Sequence, residues 1–490
     1  EQLFIPAFCE LIKFFARTIS MSALDNRWKW AMGAILKFGE FPFKLSNIVY
    51  YECMMALMDP LEPRLQEYSG SVEKFTIEDD TDKNIVIDDK SQIKGATLDK
   101  LIERITSDSK GFDMKLIEVF FLTYRSFTKP YILMDKLIQR FDIAKRDKDT
   151  NAGLKVTLRV SNAIKSWVDK YFHDFDNILI CRLVQFLEET AEIDNFRSYC
   201  GNLKKSLSTK LIKDDEKVSR SVMFRENEVP TPILPKGFTP YVKFQLMDWS
   251  SVELARQITY MEAEYFKKIE PKECLSQGWA KKNKYLLAPN IAALTDRWNN
   301  MTYYVVHTII FEDDLKVRKS YINKFVEIGM ELHKLNNLNG VTEIVSGLAH
   351  VSIHRLKKTW DAVDQTTMQN LKMLQDLCNQ QQANKSMRDA LKRVYGPCVP
   401  PLSMYLKDLT FIEDGNPDLI GDGALINVFK RRQIAQIIQK IKNYQQTPYP
   451  IEPIPYIRDN FHSSLFKTIE RDEDKLWERS IKIEPREKKP

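Results

Sequence analysis

The sequence predicts an all-α protein, and three observations lead there. Only 16 of 490 residues are glycine, too few for turn-rich sandwiches or for the glycine-punctuated loops of nucleotide-binding sheets. Ile434, Ile437, Ile438 and Ile441 fall at i, i+3, i+4 and i+7, which sets four branched side chains on one helical stripe. Weaker patterns of the same period run over about 100–142, 155–172, 251–268, 316–335 and 364–395, each closed by Pro, Gly or Asn. No internal repeat of solenoid period accompanies them.

Taken in order, the first ~75 residues read as a helical segment, because Phe4, Phe8, Leu11, Phe14 and Phe15 are too apolar for a free tail. An acidic run, Glu78-Asp79-Asp80-Thr81-Asp82, ends that block and leads into the short β-branched stretch Ile85-Val86-Ile87. The block that follows runs to about 229, with helical patterns over about 100–142 and 155–172. Pro230, Pro232, Pro235 and Pro240 remove amide donors and fix φ, so 230–240 reads as a linker or clamp. The rest, from 241, is predicted to be helical with at most short strands near the joins. At 43% hydrophobic content these blocks are large enough for two or three domains, each with its own core.

Composition excludes several functions. The seven cysteines are odd in number and scattered without CxxC spacing, which suits a reducing compartment, read as the cytosol. The longest apolar stretches, such as Leu116–Tyr124, are far shorter than the roughly 20 residues a membrane span requires. No signal peptide opens the chain, and the missing initiator Met suggests a fragment of something longer. Seventy-three basic residues against 67 acidic ones make a balanced surface, not the basic stripe of a nucleic-acid groove.

Motifs for catalysis or metal binding fail on inspection. Asp80, Asp82 and Asn84 carry calcium-loop spacing, but Ile85 replaces the required glycine and Ser91 the bidentate carboxylate. His350 and His354 stand at i, i+4 with no third ligand at a matching offset, so packing or surface histidines are the better reading. GxxxxGK[ST], GxGxxG and GxSxG are all absent, so the chain has no phosphate cradle or hydrolase elbow of its own, and no cofactor is expected.

Two separated regions carry a dense set of phrases. The first holds Lys94 to Thr106, then Phe121-Leu-Thr-Tyr124-Arg125-Ser-Phe127-Thr-Lys-Pro130, then Arg159 to Val168 with Trp167, ending in Asp174-Phe175. The second opens with Glu253-Leu-Ala255-Arg256-Gln257, Ile269-Glu-Pro271-Lys-Glu273 and Trp279. It continues through Leu335-Asn336-Asn337-Leu-Asn339-Gly340, Arg355 to Trp360, Pro397-Cys-Val-Pro400, Leu406 to Pro417, Ile426 to Arg432, and Ile483-Glu484-Pro485-Arg486. Together, over about residues 85–486, these resemble a Ras-family guanine nucleotide exchange factor, with an N-terminal Ras exchanger motif ahead of a catalytic exchange domain.

The resemblance implies two packed helical domains, 76–229 with the exchanger motif and 241–486 with the exchange domain and a protruding helical hairpin, plus the extra N-terminal helical segment. It implies a Ras-subfamily small GTPase partner, of Ras, Rap or Ral type, and cytoplasmic residence with recruitment to the inner membrane surface where the GTPase resides. It also implies no covalent chemistry: the exchanger acts by binding the nucleotide-free GTPase better than the loaded one. The hairpin resembles Pro400 to Asn416 plus a returning helix from about Ala424. Along it Leu402, Tyr405, Leu406 and Leu409 make an anchoring stripe, with Thr410 and Asp414 on a neighbouring face. By resemblance Thr410 intrudes on the GTPase's magnesium site and Asp414 competes for phosphate-loop groups, with Leu409 and Asn416 in the same working phrase. GTPase contacts carried over are Thr295, Asp296, Thr342, Ser346, Ala349, His354, Pro401 and Leu402. Pro401 stands where the family usually offers an aromatic, Ala349 replaces an Asn-type contact, and Asp296 stands where some relatives have Arg; these departures bear on which GTPase is favoured. The apolar exchanger-motif residues Leu98, Leu101, Ile105, Phe121, Tyr124 and Phe127 are expected to buttress the hairpin. Two rivals remain, a helical scaffold that binds a GTPase without exchange, and a basic nucleic-acid binder resting on Lys430-Arg431-Arg432 and the pI of 8.7.

Overall fold

The computed structural model describes residues 25–38, 50, 54–55, 57–58, 61–70, 72–107, 113–146, 151–213, 229–241, 243–461 and 465–485. They fall into two units. One holds the described residues up to 213 together with Asn416–Ala435, and the other holds 229–415 with the chain from Gln436 onward.

In the first unit, α1 (Asp25–Phe38) and α2 (Glu62–Gly70) precede a β-ribbon of β1 (Ile85–Ile87) and β2 (Ile93–Ala96). Then come α3 (Leu98–Ile105), α4 (Met114–Thr123), α5 (Pro130–Arg146), α6 (Asn151–Lys170), α7 (Asn177–Ala191) and α8 (Arg197–Lys213). The single period expected over 100–142 is thus three helices, because α3 stops at Thr106 and Pro130 opens a new one after a short 3-10 turn at Tyr124–Ser126. Side-chain caps set the starts: Thr97 accepts from the Lys100 amide, Asp113 from Lys115 and Asp176 from Leu179.

The N-terminal block is built into this unit. A Cβ on Gly33 of α1 would lie 2.8 Å from Leu211 Cβ, so glycine is what lets α8 approach, and Ser208 Oγ donates to the Gly33 carbonyl at 2.8 Å. Met32, Ile35 and Leu36 are buried there. Phe4, Phe8, Leu11, Phe14 and Phe15 lie outside the described residues.

The exchanger-motif phrases meet around one carboxylate. Asp174 accepts from Tyr124 Oη at 2.7 Å, Trp167 Nε1 at 3.1 Å and Arg125 at 2.9 Å, beneath the packed rings of Phe121, Trp167 and Phe175. Burial and the Asp174 charge push the Tyr124 phenol far up, so it stays a donor.

The second unit is helical: α9 (Ser251–Lys267), α10 (Lys284–Leu287), α11 (Pro289–Ile310), α12 (Leu315–Lys334), α13 (Leu338–Leu348), α14 (Val351–His354), α15 (Lys357–Asp361), α16 (Gln365–Leu377), α17 (Gln381–Lys392) and α18 (Leu402–Gly415). The pattern expected over 364–395 splits into α16 and α17, because Asn379 to Gln382 is a run of amides with nothing to bury. One apolar core of Leu254, Val305, Ile309, Ile322, Leu332 and Val341 joins α9, α11, α12 and α13. The proline-rich 230–240 stretch lies along this unit, with Phe238 edge-on to Trp249 at 5.2 Å and Tyr456 at 5.1 Å, and the Ile233 amide bonded to Glu253.

After α18 the chain returns to the first unit. There β3 (Leu419–Ile420) and β4 (Leu425–Asn427) form a hairpin through Gly421-Asp422-Gly423, all at positive φ, and β4 pairs antiparallel with β2, giving the order β1-β2-β4-β3. The short strand signal at 85–87 was legible, but its extension by 419–427 was not. α19 (Val428–Tyr444) follows, and Ile434, Ile437, Ile438 and Ile441 are all buried as their spacing predicts. The chain closes in the second unit with α20 (Pro455–Asp459), α21 (Leu465–Thr468) and α22 (Glu473–Ile483). No helix among the described residues is long and apolar enough to cross a membrane.

Candidate functional site

α18 is held at its root by backbone pairing between two of the scattered phrases. Val399 bridges Asn337, its amide donates to the Asn336 carbonyl at 3.2 Å, and its carbonyl accepts from the Asn339 amide at 3.0 Å. Asn336 takes a left-handed φ of 56°, which ends α12 and lets Asn337 cap α13 by accepting from the Gly340 amide. The Asn337 side chain also donates to Thr259 of α9 at 3.2 Å. The asparagine-rich turn and the Pro-Cys-Val-Pro phrase are therefore one structural joint.

From that joint α18 presents two faces. Leu402, Met404, Tyr405 and Leu409 are buried, while Leu406 is only half-buried, so Met404 takes the place in the core that the expected stripe gave to Leu406. Arg388 of α17 pairs with Asp408 at 2.7 Å along the flank. On the outer side Phe411 is 64% exposed and Asp414 is exposed. Thr410 is half-buried and its hydroxyl donates back to the Leu406 carbonyl at 3.0 Å. Asp414 Oδ1 accepts from Gln277 Nε2 at 2.6 Å, and Glu413 accepts from the Ser276 amide at 2.9 Å. Pro401 and Leu402, carried over as GTPase contacts, are buried at the start of the helix.

Thr295, Asp296, Thr342, Ser346, Ala349 and His354 sit on three neighbouring helices. Thr295 and Asp296 are half-buried on α11, with Asp296 3.9 Å from Lys284. Trp298 of α11 donates to the Thr342 hydroxyl of α13 at 2.9 Å. Ser346 is half-buried on α13, Ala349 exposed at its C-cap, and His354 exposed on α14. The link from these helices to the end of α18 is the 270–280 segment. Buried Glu273 accepts from the Asn290 amide at 2.8 Å, the Ile291 amide at 3.1 Å and the Asn290 side chain at 2.6 Å, which caps α11, and the same segment carries Ser276 and Gln277. Asn416 belongs to the first unit, where its amide faces Gln433 at 3.5 Å.

A charged cluster ties the scaffold beneath. Asn339 donates to Glu262 at 3.1 Å and Glu343 at 3.2 Å, and Arg297 lies 3.7 Å from Glu262, joining α9, α11 and α13. Burial, reinforced by the neighbouring Glu262 carboxylate, holds Glu343 well above the usual carboxylate range.

One expectation is corrected. The returning helix starts at Val428, not near Ala424, because Leu425–Asn427 is a strand paired to β2. Lys430 and Arg431 are each 2% exposed, so the basic run is no nucleic-acid face. Both bind Asp418, at 2.9 and 2.8 Å, Arg431 lies over the Phe127 ring, and Arg432 faces Asp113 at 3.4 Å. Burial works against the Asp418 charge, but the bonds from Lys430 and Arg431 outweigh it and hold its carboxyl below the ordinary range. His350 Nδ1 accepts from the Ser352 amide and its Nε2 lies 3.0 Å from Glu473, while His354 is exposed on the next turn. Sequence reasoning missed Gln277, Met404, Asp418 and Phe411; only the last carried a signal, as an apolar side chain off the anchoring stripe.

The RasGEF domain model matches residues 253–432 and the RasGEF N-terminal motif matches 92–188. Ras guanine nucleotide exchange factor A of Dictyostelium discoideum is 33% identical over 407 residues, covering 81% of this chain and 66% of the relative. Ras guanine nucleotide exchange factor P of the same organism is 35% identical over 418 residues, 81% of this chain and 26% of the relative. Protein son of sevenless of Drosophila melanogaster is 30% identical over 461 residues, 85% and 28%. The chain spans from about a quarter to about two thirds of the length of these relatives.

Proposed function

This chain belongs to the family of proteins that set a RasGEF N-terminal motif ahead of a RasGEF domain, and on that premise we propose that it is a guanine nucleotide exchange factor for a Ras-subfamily GTPase. It binds the GTPase through α11, α13, α14 and α18, opens the nucleotide site with α18, and promotes GDP release and GTP loading. The observation that carries this is the two-faced α18: one face locked into the core by Leu402, Tyr405 and Leu409, the other presenting Phe411 and Asp414.

The physical task is large. A small GTPase that holds nucleotide with picomolar affinity stores about 16 kcal/mol of binding free energy. The exchanger lowers the release barrier by binding the empty GTPase more tightly, and by linkage the nucleotide weakens exchanger binding to the same degree. Asp414 supplies an anion for the donors that nucleotide leaves behind, and Thr410, one turn earlier, crowds the magnesium position. No bond is made or broken, so the chain acts as an exchange factor and not through a covalent intermediate.

In this reading 76–229 is the exchanger-motif domain, 230–240 a strap, and 241–486 the exchange domain. The return segment 416–435 is paired to β2 and pinned through Asp418. Membrane recruitment follows from where such GTPases reside. The scaffold alternative draws on Pro401, which offers no aromatic and is buried, and on Ala349. Fluorescent-GDP release from a panel of Ras, Rap, Ral and Rho proteins decides: acceleration on a Ras-subfamily member supports exchange, whereas binding of the nucleotide-free GTPase with no acceleration on any member selects the scaffold.

A further inference from the structure

The end of α18 has an unusual support. Glu413 and Asp414 place two carboxylates in the last turn, which itself holds no basic residue, where the helix dipole disfavours negative charge. Facing them, Ser276 and Gln277 both take φ of 52°, a left-handed backbone that successive non-glycine residues adopt only where the surroundings impose it. The turn is rooted below by Cys274 and Leu275, which are buried, and closed by Gly278 N to Leu275 O at 3.1 Å and Ala280 N to Gln277 O at 3.0 Å. In this conformation the Ser276 amide reaches Glu413 and the Gln277 amide group reaches Asp414 Oδ1. Both donors thus offset the charges that the helix end disfavours.

We infer that Gln277 is a positioning residue for exchange: the Ser276–Gln277 turn clasps the end of α18, orients the Asp414 carboxylate through Oδ1, and fixes it relative to α11, whose N-terminus the same segment caps through Glu273. This rests on the exchange reading above. With Oδ1 engaged, Oδ2 is the oxygen that accepts from the GTPase's emptied phosphate cradle, and the carboxylate need not be ordered at the moment of binding. The strained turn is the cost of that preorganisation.

Glycine is the discriminating substitution, because it keeps the left-handed turn without strain while removing the amide. Gln277→Gly is expected to leave the melting temperature unchanged or higher, yet to slow GDP release about tenfold, the factor of a lost hydrogen bond to a charged group. In an Asp414→Ala background the same change should slow release no further, since Gln277 acts through Asp414. A parental rate, a faster rate as expected if Gln277 masked Asp414, or additive slowing in the double variant would each overturn the inference. Hydrogen exchange on the free protein tests the clasp independently of activity: amides of 411–415 should exchange faster in Gln277→Gly while the α11 core stays protected, and unchanged protection would overturn it. If the parent protein accelerates release from no GTPase, the exchange reading fails, and the hydrogen-exchange result still decides whether the clasp exists.

Discussion

Removing the charge of Asp418 should loosen the whole return segment. Lys430 and Arg431 are each 2% exposed, and Asp418 Oδ1 is bonded to both, at 2.9 and 2.8 Å. Arg431 is already short of partners, since its Nε and Nη1 are buried without a hydrogen bond. Breaking a buried pair by deleting one partner typically costs about 3–5 kcal/mol. The Asp418 side chain is 62% exposed, however, so water screens its charge and can enter its place; we expect about 1–3 kcal/mol for Asp418→Ala. Asp418→Asn keeps an acceptor and loses only the charge, so its cost should be the smaller. The sign with pH follows from the lowered carboxyl: the stabilisation is present above the ordinary Asp value of 3.8 and is lost as pH falls through the lower value that Asp418 has when folded. Urea denaturation of parent and both variants at pH 7 and at pH 3 measures this. Equal midpoints for parent and Asp418→Ala at pH 7, or a difference that grows towards pH 3, would refute the reasoning.

The other predictions are shorter. Leu409→Ala, at a fully buried position of α18, should lose roughly 2–5 kcal/mol, whereas Asp414→Ala should stay within about 0.5 kcal/mol and slow GDP release; unfolding midpoints and release rates check the pair, and a parental rate for the Thr410→Ala, Asp414→Ala double variant would remove α18 as the working element. Gly33→Val would drive a side chain into Leu211 and should cost about 1–3 kcal/mol, seen as a lower melting temperature; an unchanged value would mean that α1 does not need its close approach to α8. Burial beside Glu262 raises the Glu343 carboxyl well above its ordinary value, so its share of stability is full below 4.5 and falls as pH rises; Glu343→Gln should flatten the pH dependence above that value, and an identical profile in denaturant titrations would contradict it.

The helices were legible where one face is buried and the chain is long. The isoleucine stripe of α19 and the patterns of α6, α9 and α12 appear within a few residues of their expected places, because a buried stripe leaves a 3.6-residue trace regardless of what it packs against. Helix ends inside 100–142 and 364–395 were not, since they depend on caps and short 3-10 turns that carry no period. The β3–β4 hairpin was illegible for another reason: strands of two and three residues are too short to show alternation, and β4 exists because β2 offers it an edge more than 300 residues earlier in the chain. The surroundings of the Lys-Arg-Arg run were illegible in the same way. Charge is visible in sequence, whereas the aspartate that pairs with two of those cations is visible only in space.

That the resemblance was readable at all has a physical cause in how its phrases pair. Val399 of the Pro-Cys-Val-Pro phrase is hydrogen-bonded to Asn336 and Asn339 of the asparagine-rich turn. Glu484 of the closing phrase accepts from the Thr359 amide and hydroxyl, at 2.9 and 2.7 Å, and from the Lys358 amide, while Arg355 reaches the Ser480 and Glu484 carbonyls. Asp174 gathers Tyr124, Arg125 and Trp167 in the first unit. These phrases are halves of polar joints, and a buried polar group left without its partner costs more than an apolar mismatch. Such joints constrain both halves to particular residue types, whereas the surrounding core tolerates any apolar side chain of suitable volume. The phrases that carried the resemblance are therefore mostly those that hold the scaffold, and the residues that would meet a GTPase, Thr295, Asp296, Ala349 and His354, stand between them at half-buried or exposed positions where the fold dictates little. It follows that the choice of GTPase should be set by these intervening residues: exchanging them between two exchangers should transfer GTPase preference without altering stability, whereas exchanging either half of a joint should unfold the unit that holds it.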